Sequence, residues 1–420
     1  MKILQICSGD LFSTYGGGQV YVKNIVDEFI CQRIDVIVMS FVSNECDVQC
    51  KNYKGIDLYE VSNDVSEHRL EQVVQIIKPD IIHAHSKKRE IVEIGERLNI
   101  PVIVTAHHGG LLCPAGALLN SEDKICHDKL SQKGCLKCVL KNTKFGGSVY
   151  PIARIFPNKV ALKIGNIFRK LPFIYVVTPI ATAALNIKNK ISEWETIAQK
   201  SRVLIAPSYA IQSSMILNGA SQEKITVIKH GIPLPKSIER KPLNNKIKFF
   251  FVGRISYVKG VHVLLEAFSK VESNNVKLYI VGGAGNKKEE CYMRELQLKY
   301  CEDKRIEWIG KIEPEKLYET IGGYDIMVHP TICLEVFGLT ISESITMGKP
   351  VLATRCGGAE MQIVEGVNGW LVAPNDVNEM KSRIETILKH GVIKIKDEKS
   401  VISITQHCKT LYTLYEKTID

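Results

Sequence analysis

The stretch Lys246–Arg254, KIKFFFVGR, decides how this chain of 420 residues is divided. Its apolar run ends in Gly-Arg and leads into VHVLLEAFSKV, a sequence typical of a buried strand followed by a helix. The same alternation has already run once through the first half, which starts with the strand-like KILQIC and a glycine-rich loop at Gly16–Gly18. The second start predicts a second domain of the same class.

Further short apolar runs continue the pattern in both halves. They are RIDVIVMSF, PDIIHAHS and PVIVTAHH before this stretch, and VKLYIVGG, KRIEWIG, YDIMVHP and KPVLATRCGG after it. Strands and helices that alternate at this rhythm predict parallel βαβ units with helices on both faces of the sheet. We therefore predict an α/β fold with two Rossmann-like, doubly wound domains facing across a cleft. Sheets of this kind bind ligands at the carboxyl ends of their strands, so we expect the ligand in that cleft.

A segment rich in proline and charge, GIPLPKSIERKPLNNK, separates the two halves. Its residues 236–246 are typical of a linker. We expect one Rossmann-like domain over residues 1–236 and a second over residues 237–404. The last helix, over residues 405–420, could pack on either domain, including by crossing back to the first.

The composition favours a soluble globular protein with an anionic partner. The chain is 45% apolar and 24% charged, and its formal net charge is +10, which favours a phosphate, a nucleic acid or a lipid headgroup as partner. The N-terminus shows no secretion signal, and the longest apolar run is interrupted by Pro179 and too short to span a bilayer. Thirteen cysteines in such a chain predict mainly reduced thiols and a cytoplasmic location.

The segment over residues 150–192 is basic and amphipathic. Residues 129–192 contain twelve Lys or Arg and no Asp or Glu. Apolar side chains at helical spacing share one face, with lysines beside it: Val160, Ile164, Ile167, Phe168 and Leu171, with Lys159, Lys163 and Lys170. Two interpretations stay open, a domain-packing helix with a solvated basic edge and a helix that lies in an anionic membrane surface.

Two carboxylates, Glu335 and Glu343, lie on either side of the dipeptide Phe337-Gly338. Thr340 and Glu343 match a capping box with Thr340 as the N-cap, which alone would explain Glu343. It does not explain Glu335, nor the glycine pair that follows the next strand.

Cations and backbone amides near these carboxylates indicate an anion site. The amides of Gly338, Leu339 and Thr340 precede a predicted helix, where an anion is favoured. Arg254 ends a predicted strand and Lys259 follows five residues later, so the two could clamp a diphosphate. Ordinary surface charge is the alternative.

These residues resemble the family 4 retaining glycosyltransferases, which have the GT-B fold, over nearly the whole chain. The most specific parts are the glutamate pair around Phe-Gly, the G-K-P-V segment and the G-G-x-E turn. The resemblance implies that Glu343 accepts hydrogen bonds from the ribose of a nucleotide-diphosphate sugar, while Glu335 binds the transferred sugar. It also implies that the second domain binds this donor and that the first faces the acceptor.

The resemblance assigns roles to two sets of residues. The implied catalytic set is His107, Arg254, Lys259 and Glu335. The implied donor-binding set is Gly17, Gly18, Gly253, Gly283, Phe337, Gly338, Leu339, Thr340 and Glu343. Many relatives carry Asp after the histidine, whereas this chain has His108, so the role of that position stays open.

Four cysteines lie close together in the loop over residues 113–138: Cys113, Cys126, Cys135 and Cys138. A subset of the family has a similar loop, and four thiolates suit tetrahedral zinc. We therefore expect a structural zinc there, with His127 able to replace one ligand, and no catalytic metal. Four unlinked thiols are the alternative.

The predicted function is retaining hexosyl transfer from a nucleotide-diphosphate sugar to a glycan or lipid-linked acceptor, in the synthesis of a cell-surface polysaccharide or glycolipid. The alternative is a nucleotide-sugar hydrolase or epimerase of the same fold. We expect no nucleic-acid partner, because no aromatic or arginine-rich platform stands among the basic residues. A degenerate sugar-nucleotide sensor is disfavoured by the intact charged motif. The expected location is the cytoplasm, peripheral at the inner face of an anionic membrane.

Overall fold

The structure, a computed structural model, describes eight segments: residues 1–9, 16–43, 46–143, 146–169, 178–235, 246–313, 316–395 and 401–419. The chain forms two compact units. Unit 1 comprises Met1–Ser121, His127–Gly231 and Ile404–Asp420, and unit 2 comprises Glu122–Cys126 and Ile232–Ser403. The predicted linker, apart from Lys246, lies outside the described residues.

Unit 1 is built on an eight-stranded sheet. Its strands are β1 (Ile3–Ser8), β2 (Val36–Val42), β3 (Val48–Tyr53), β4 (Ile56–Ser62), β5 (Ile81–Ala84), β6 (Val102–Thr105), β7 (Val203–Ala206) and β8 (Ile225–Val227). Their order is β3-β4-β2-β1-β5-β6-β7-β8, and every neighbouring pair is parallel except β3 with β4. The predicted apolar runs form the buried central strands.

The helices of unit 1 that precede unit 2 are α1 (Gly17–Cys31), α2 (Glu67–Ile77), α3 (Lys88–Leu98), α4 (Leu136–Lys141), α5 (Gly146–Ala153), α6 (Asn158–Arg169), α7 (Thr178–Ala181), α8 (Ala183–Lys200) and α9 (Tyr209–Leu217). Helix α1 shows why they form, since its buried side chains recur three or four residues apart on one face. No helix within the described segments combines the length and apolarity needed to cross a bilayer.

Unit 2 contains a six-stranded parallel sheet. Its strands are β9 (Ile247–Val252), β10 (Val276–Val281), β11 (Ile306–Gly310), β12 (Ile326–His329), β13 (Val351–Thr354) and β14 (Gly369–Val372), in the order β11-β10-β9-β12-β13-β14. Strand β9 lies within the stretch Lys246–Arg254. Phe249 and Phe251 pack into one core cluster and Phe250 into another, so this strand is covered on both faces.

The helices of unit 2 are α10 (Val261–Ser269), α11 (Lys287–Lys299), α12 (Leu317–Gly322), α13 (Leu339–Thr346) and α14 (Val377–His390). The last helix, α15 (Ile404–Ile419), belongs to unit 1. There Tyr415 is fully buried and its hydroxyl lies 2.6 Å from His83 Nδ1 and 3.2 Å from Gln5 Nε2. The two-sheet α/β prediction is confirmed.

Helix α6 covers most of the predicted amphipathic helix, while Lys170 and Leu171 lie outside the described residues. It packs closely at Gly165, where an added Cβ would lie 3.1 Å from the carbonyl oxygen of Ala181. Its apolar face is only partly covered, since Val160 is 40% exposed and Ile167 is 59% exposed. Packing and exposure therefore coexist on this helix.

Candidate active site

Two turns of unit 2 meet where β9 and β12 end. Gly260, the N-cap of α10, has φ +68°, and a Cβ added there would lie 1.8 Å from the carbonyl oxygen of Pro330. The amide of Ile332 bonds the carbonyl of Val258 at 3.0 Å. Glycine is required at this position because the backbones touch. The contact brings Lys259 on the first turn beside the segment that follows β12.

Lys259 and Glu335 form an ion pair at this meeting point, beside His329 at the end of β12. The Lys259 ammonium donates to the Glu335 carboxylate, and His329 Nε2 lies 3.6 Å from Glu335 Oε2. Burial by itself raises the pKa of Glu335, but Lys259 and His329 outweigh it and hold that pKa well below its usual value. Burial also opposes the charge on Lys259, yet Glu335 raises its pKa. At neutral pH the pair is therefore a carboxylate and an ammonium.

The glycine pair after β13 holds the loop that carries Glu335. The Glu335 amide donates to the carbonyl of Cys356 at 2.7 Å, and the Gly358 amide donates to the carbonyl of Glu335 at 3.0 Å. A Cβ added to Gly358 would lie 2.4 Å from the carbonyl oxygen of Phe337. The Glu360 carboxylate accepts from the Gly357 amide at 2.8 Å and so closes the turn. This packing explains the G-G-x-E pattern.

The capping box predicted at Thr340 is wrong. Helix α13 begins at Leu339, and its N-cap is Gly338, which has φ +85° and ψ +72°. Glycine adopts this left-handed conformation readily, so the helix starts ahead of the threonine. The Ile341 amide bonds the carbonyl of Gly338 at 3.0 Å. The amides of Leu339 and Thr340 precede it at the helix start, where no intrahelical acceptor exists.

Glu343 lies too far into α13 to serve as a cap. It is half-buried, and within the described part of the chain its carboxylate makes no hydrogen bond or ion pair. Burial raises its pKa to about 7. A carboxylate held from water without a protein partner is costly, which is typical of a group that binds a ligand.

Arg254 and the nearby glycines lie at the ends of β9 and β10. Arg254 has an exposed side chain whose Nε lies 3.5 Å from Glu289 Oε1. A Cβ added to Gly282 would lie 1.9 Å from the carbonyl oxygen of Gly253, so the two strand-end turns touch. A Cβ added to Gly283 would contact the Lys311 side chain at 2.7 Å. Sequence reasoning missed Lys311 and His329, because their proximity to the motif arises only in the folded sheet.

Unit 1 has its own cavity of about 480 Å³ at the carboxyl ends of β1, β5 and β6. Its lining includes Gly16, Gly18, Ser86, Lys87, Lys88, His107, His108, Lys190 and Glu193. Gly17 is the first residue of α1, and a Cβ added to Gly18 would lie 3.5 Å from His107 Cβ. The predicted glycine loop and the predicted histidine therefore meet in this cavity.

A buried chain of hydrogen bonds fixes the orientation of His107. His85 Nε2 lies 2.8 Å from Gln5 Oε1, and His85 Nδ1 lies 2.7 Å from His107 Nε2. An amide oxygen only accepts, so His85 donates from Nε2 and accepts the Nε2 proton of His107. Burial lowers the pKa of both rings well below the usual histidine value. His107 is thus a neutral ring whose Nδ1 can accept a hydrogen bond.

The predicted zinc site is not supported. Cys126 belongs to unit 2, whereas Cys113, Cys135 and Cys138 belong to unit 1. Among the described residues no group of three or more His, Cys, Asp or Glu side chains is arranged to hold a metal. These residues do not fit the expected metal.

Curated proteins resemble parts of this chain. Residues 235–404 match the family described as Glycosyl transferases group 1. An uncharacterized glycosyltransferase of Methanocaldococcus jannaschii is 26% identical over 264 residues, which cover 57% of this chain and 66% of the relative. The D-inositol 3-phosphate glycosyltransferase of Corynebacterium efficiens is 32% identical over 161 residues, which cover 37% of each. The chain thus matches less than two thirds of either relative.

Solved structures resemble the whole chain. A glycosyltransferase from Rickettsia africae has a TM-score of 0.66 at 18% identity, covering 100% of this chain and 98% of its own. Anabaena HepE in complex with UDP-glucose has a TM-score of 0.62 at 17% identity, with coverage of 100% and 98%. At such identities the similarity shows the fold alone. The chain therefore has the GT-B fold, and its residues 235–404 match the group 1 glycosyl transferase family.

Proposed function

We propose that this chain is a retaining glycosyltransferase that moves a hexose from a nucleotide-diphosphate sugar to a glycan or lipid-linked acceptor. The observation that carries the proposal is the ionised Lys259–Glu335 pair beside the start of α13. Glu343 lies within that helix and has no hydrogen bond or ion pair to any residue that the structure describes. Such a donor has three parts. Lys259 and the helix amides suit its diphosphate, Glu335 suits its sugar and Glu343 suits its ribose.

Donor capture is proposed to use opposite charges and free backbone donors. Arg254 and Lys259 would neutralise the diphosphate, while the amides of Leu339 and Thr340 bind its oxygens. Glu343 would accept hydrogen bonds from the ribose hydroxyls. These hydroxyls would replace the water that burial removed, which explains why the protein keeps a carboxylate there.

Glu335 is proposed to orient the transferred sugar. Its pKa is held well below its usual value by Lys259 and His329 against the effect of burial, so at neutral pH it has no proton to give. An ionised carboxylate only accepts, and sugar hydroxyls are suitable donors. We further propose that the acceptor oxygen bonds the anomeric carbon as the bond to the diphosphate breaks. The departing diphosphate takes the acceptor proton on the same face, which retains the configuration.

His107 in unit 1 is proposed to accept a hydrogen bond from a sugar hydroxyl at Nδ1. The bond that His107 gives to His85 fixes its tautomer, so His85 and Gln5 act as positioning residues. Gly17 and Gly18 would let the start of α1 approach a substrate phosphate.

A lipid-linked acceptor fits a second feature of unit 1. We define the α5–α6 patch as the exposed apolar side chains of α5, of α6 and of the turn between them: Ile152, Ile155, Phe156, Val160 and Ile167. Exposed basic residues lie in the same stretch of the chain: Arg154, Lys159, Lys163 and Arg169. We propose that this patch docks on the anionic inner face of a cytoplasmic membrane, because apolar burial and attraction to anionic lipid act together there.

A donor panel tests the proposed function. UDP-, GDP- and ADP-sugars are screened by thermal shift, since a ligand that binds only the folded chain raises its melting temperature. The binding donor is then incubated with candidate acceptors, and the product anomer is read by NMR. Transfer with retention supports the proposal. Free sugar as the sole product would favour the hydrolase instead.

A further inference from the structure

The start of α3 concentrates positive charge where a helix disfavours it. Lys87, Lys88 and Arg89 occupy the N-cap and the first two helical positions. The N-terminus of a helix carries a partial positive charge, so cations there lower its stability. An anion bound at this point would be attracted both by the three cations and by the positive end of the helix, so it would turn a destabilising arrangement into a stabilising one.

The burial of the Lys88 ammonium is not explained by the stability of the fold. Its side chain is buried, lines the unit 1 cavity and donates to the carbonyl of His85. No carboxylate of the described segments lies within ion-pairing distance of it, and Glu193 is taken by Lys190 at 2.6 Å. An ammonium has three protons to donate, and this bond uses one. A buried cation without a counter-ion is destabilising.

Ser86 is an independent indication that this cavity binds a ligand. Its hydroxyl oxygen is buried and has no hydrogen-bond partner within the described segments, and the residue lines the same cavity. A buried hydroxyl left without a hydrogen bond is destabilising. Ser86 and Lys88 are thus two donors, close in the chain, that share one cavity.

The charges around the cavity leave it positive. Lys87, Lys88 and Lys190 line it, against Glu90 and Glu193. Its volume of about 480 Å³ is sufficient for a sugar-sized ligand. Burial lowers the pKa of His108, which also lines the cavity, to about 4, so this ring adds no charge at neutral pH.

We propose that the unit 1 cavity binds an anionic group of the acceptor, a phosphate or a carboxylate, with Lys88 as its ion-pair partner and Ser86 as a hydrogen-bond donor. The inference rests on the proposed function only in naming this ligand as the acceptor. The acceptor would then carry its charge close to the hydroxyl that receives the sugar, because His107 lines the same cavity.

The test measures anion binding with the donor site filled. Wild type and variants are held in saturating UDP, and inorganic phosphate or acetate is titrated at constant ionic strength while the melting temperature is followed. The variants are Lys88→Met and Ser86→Ala. The matched control is Arg89→Met, which removes a charge from the same helical turn but does not line the cavity.

We expect a saturable stabilisation of wild type and of Arg89→Met by phosphate, acetate or both, and at least a tenfold loss of anion affinity in Lys88→Met. The anion with the larger effect identifies the acceptor group. Without anion, Lys88→Met should melt at the same or a higher temperature, because it removes an unpaired buried charge, so misfolding cannot mimic the result. Equal anion affinity in wild type, Lys88→Met and Ser86→Ala would overturn the inference.

The UDP signal separates the two proposals. If UDP stabilises every variant and neither anion discriminates among them, the acceptor inference fails while donor binding stands. If neither UDP nor the GDP- and ADP-sugars of the donor panel stabilise wild type or any variant, the proposed function fails. Anion binding that depends on Lys88 would still show that the unit 1 cavity is an anion site.

Discussion

Lys259 and Glu335 form a mostly buried ion pair although 76 positions separate them in the chain. The pair exists because the turns after β9 and β12 touch at Gly260 and Pro330. The cation proposed to receive the diphosphate is thus already fixed by a carboxylate before a donor arrives. Such preorganisation is what electrostatic stabilisation of a leaving group requires.

The first prediction concerns the stability of this pair. Lys259→Ala should lower the free energy of unfolding by about 3 kcal/mol, because it removes the ammonium and leaves the buried Glu335 charge with only the neutral His329 ring beside it. The double variant Lys259→Ala/Glu335→Gln should recover most of this loss, since no charge remains buried. Chemical denaturation at pH 7 measures all three proteins. A double variant no more stable than Lys259→Ala would show that the pair is not coupled.

The second prediction concerns Glu343 and pH. Its folded pKa of about 7 exceeds the usual glutamate value, so its contribution to stability is full below about pH 4.5 and is lost as pH rises through 7. Glu343→Gln should therefore stabilise the protein at pH 8.5, by about 2 kcal/mol, and change little at pH 4.5. Denaturation curves at the two pH values provide the comparison. If Glu343→Gln changed the free energy of unfolding equally at pH 4.5 and pH 8.5, the pKa of Glu343 would not be raised in the folded protein.

The third prediction concerns donor affinity and pH. Ribose hydroxyls donate to an ionised carboxylate, so donor binding should lower the pKa of Glu343 and release a proton. The affinity for a nucleotide-diphosphate sugar should then rise as pH passes upward through about 7. In Glu343→Gln this dependence should disappear and the affinity should be weaker. Calorimetric titration in buffers of different ionisation enthalpy counts the protons, and zero release by wild type at pH 7 would contradict the role.

The fourth prediction concerns the α5–α6 patch. Wild type should bind liposomes more strongly as their anionic lipid content rises, and high salt should weaken the binding without abolishing it, because salt screens only the charges. Ile155→Asp should remove the salt-resistant part, since Ile155 is 75% exposed within the patch. Ile76→Asp is the matched control, because Ile76 is 69% exposed but lies on α2. Failure of wild type to bind at low salt would favour a soluble acceptor.

Much of the fold was predictable because its signals are local. The phenylalanines of β9 are typical of a strand covered on both faces. Gly260 and Gly358 are glycines because neighbouring backbones leave no space for a side chain. Spacing alone misplaced the start of α13, since Gly338 in a left-handed conformation begins the helix before Thr340. The proximity of four cysteines in sequence likewise did not produce a metal site in the described residues.

The missing parts of the candidate site depend on contacts distant in sequence. In the sequence His329 looks like an ordinary strand residue. Its importance appears only in the fold, where the loop after β12 places Glu335 beside it. Lys88 reads as a surface lysine until its burial beside the unit 1 cavity is known. One signal was present in the sequence, since three basic residues at the start of a helix oppose its dipole.

If unit 2 binds and activates a nucleotide-diphosphate sugar, the transfer rate should fall when Arg254 is replaced by alanine. Arg254 is exposed and its nearest carboxylate lies 3.5 Å away, so its removal should leave stability within about 0.5 kcal/mol. We predict that kcat/KM with the donor falls roughly 10- to 150-fold, because loss of the Arg254 contact raises the free energy of the transition state by about 1.5–3 kcal/mol. The control Arg383→Ala, on α14 and paired with Glu365, should keep the wild-type value. A kcat/KM for Arg254→Ala within about twofold of wild type would contradict the account.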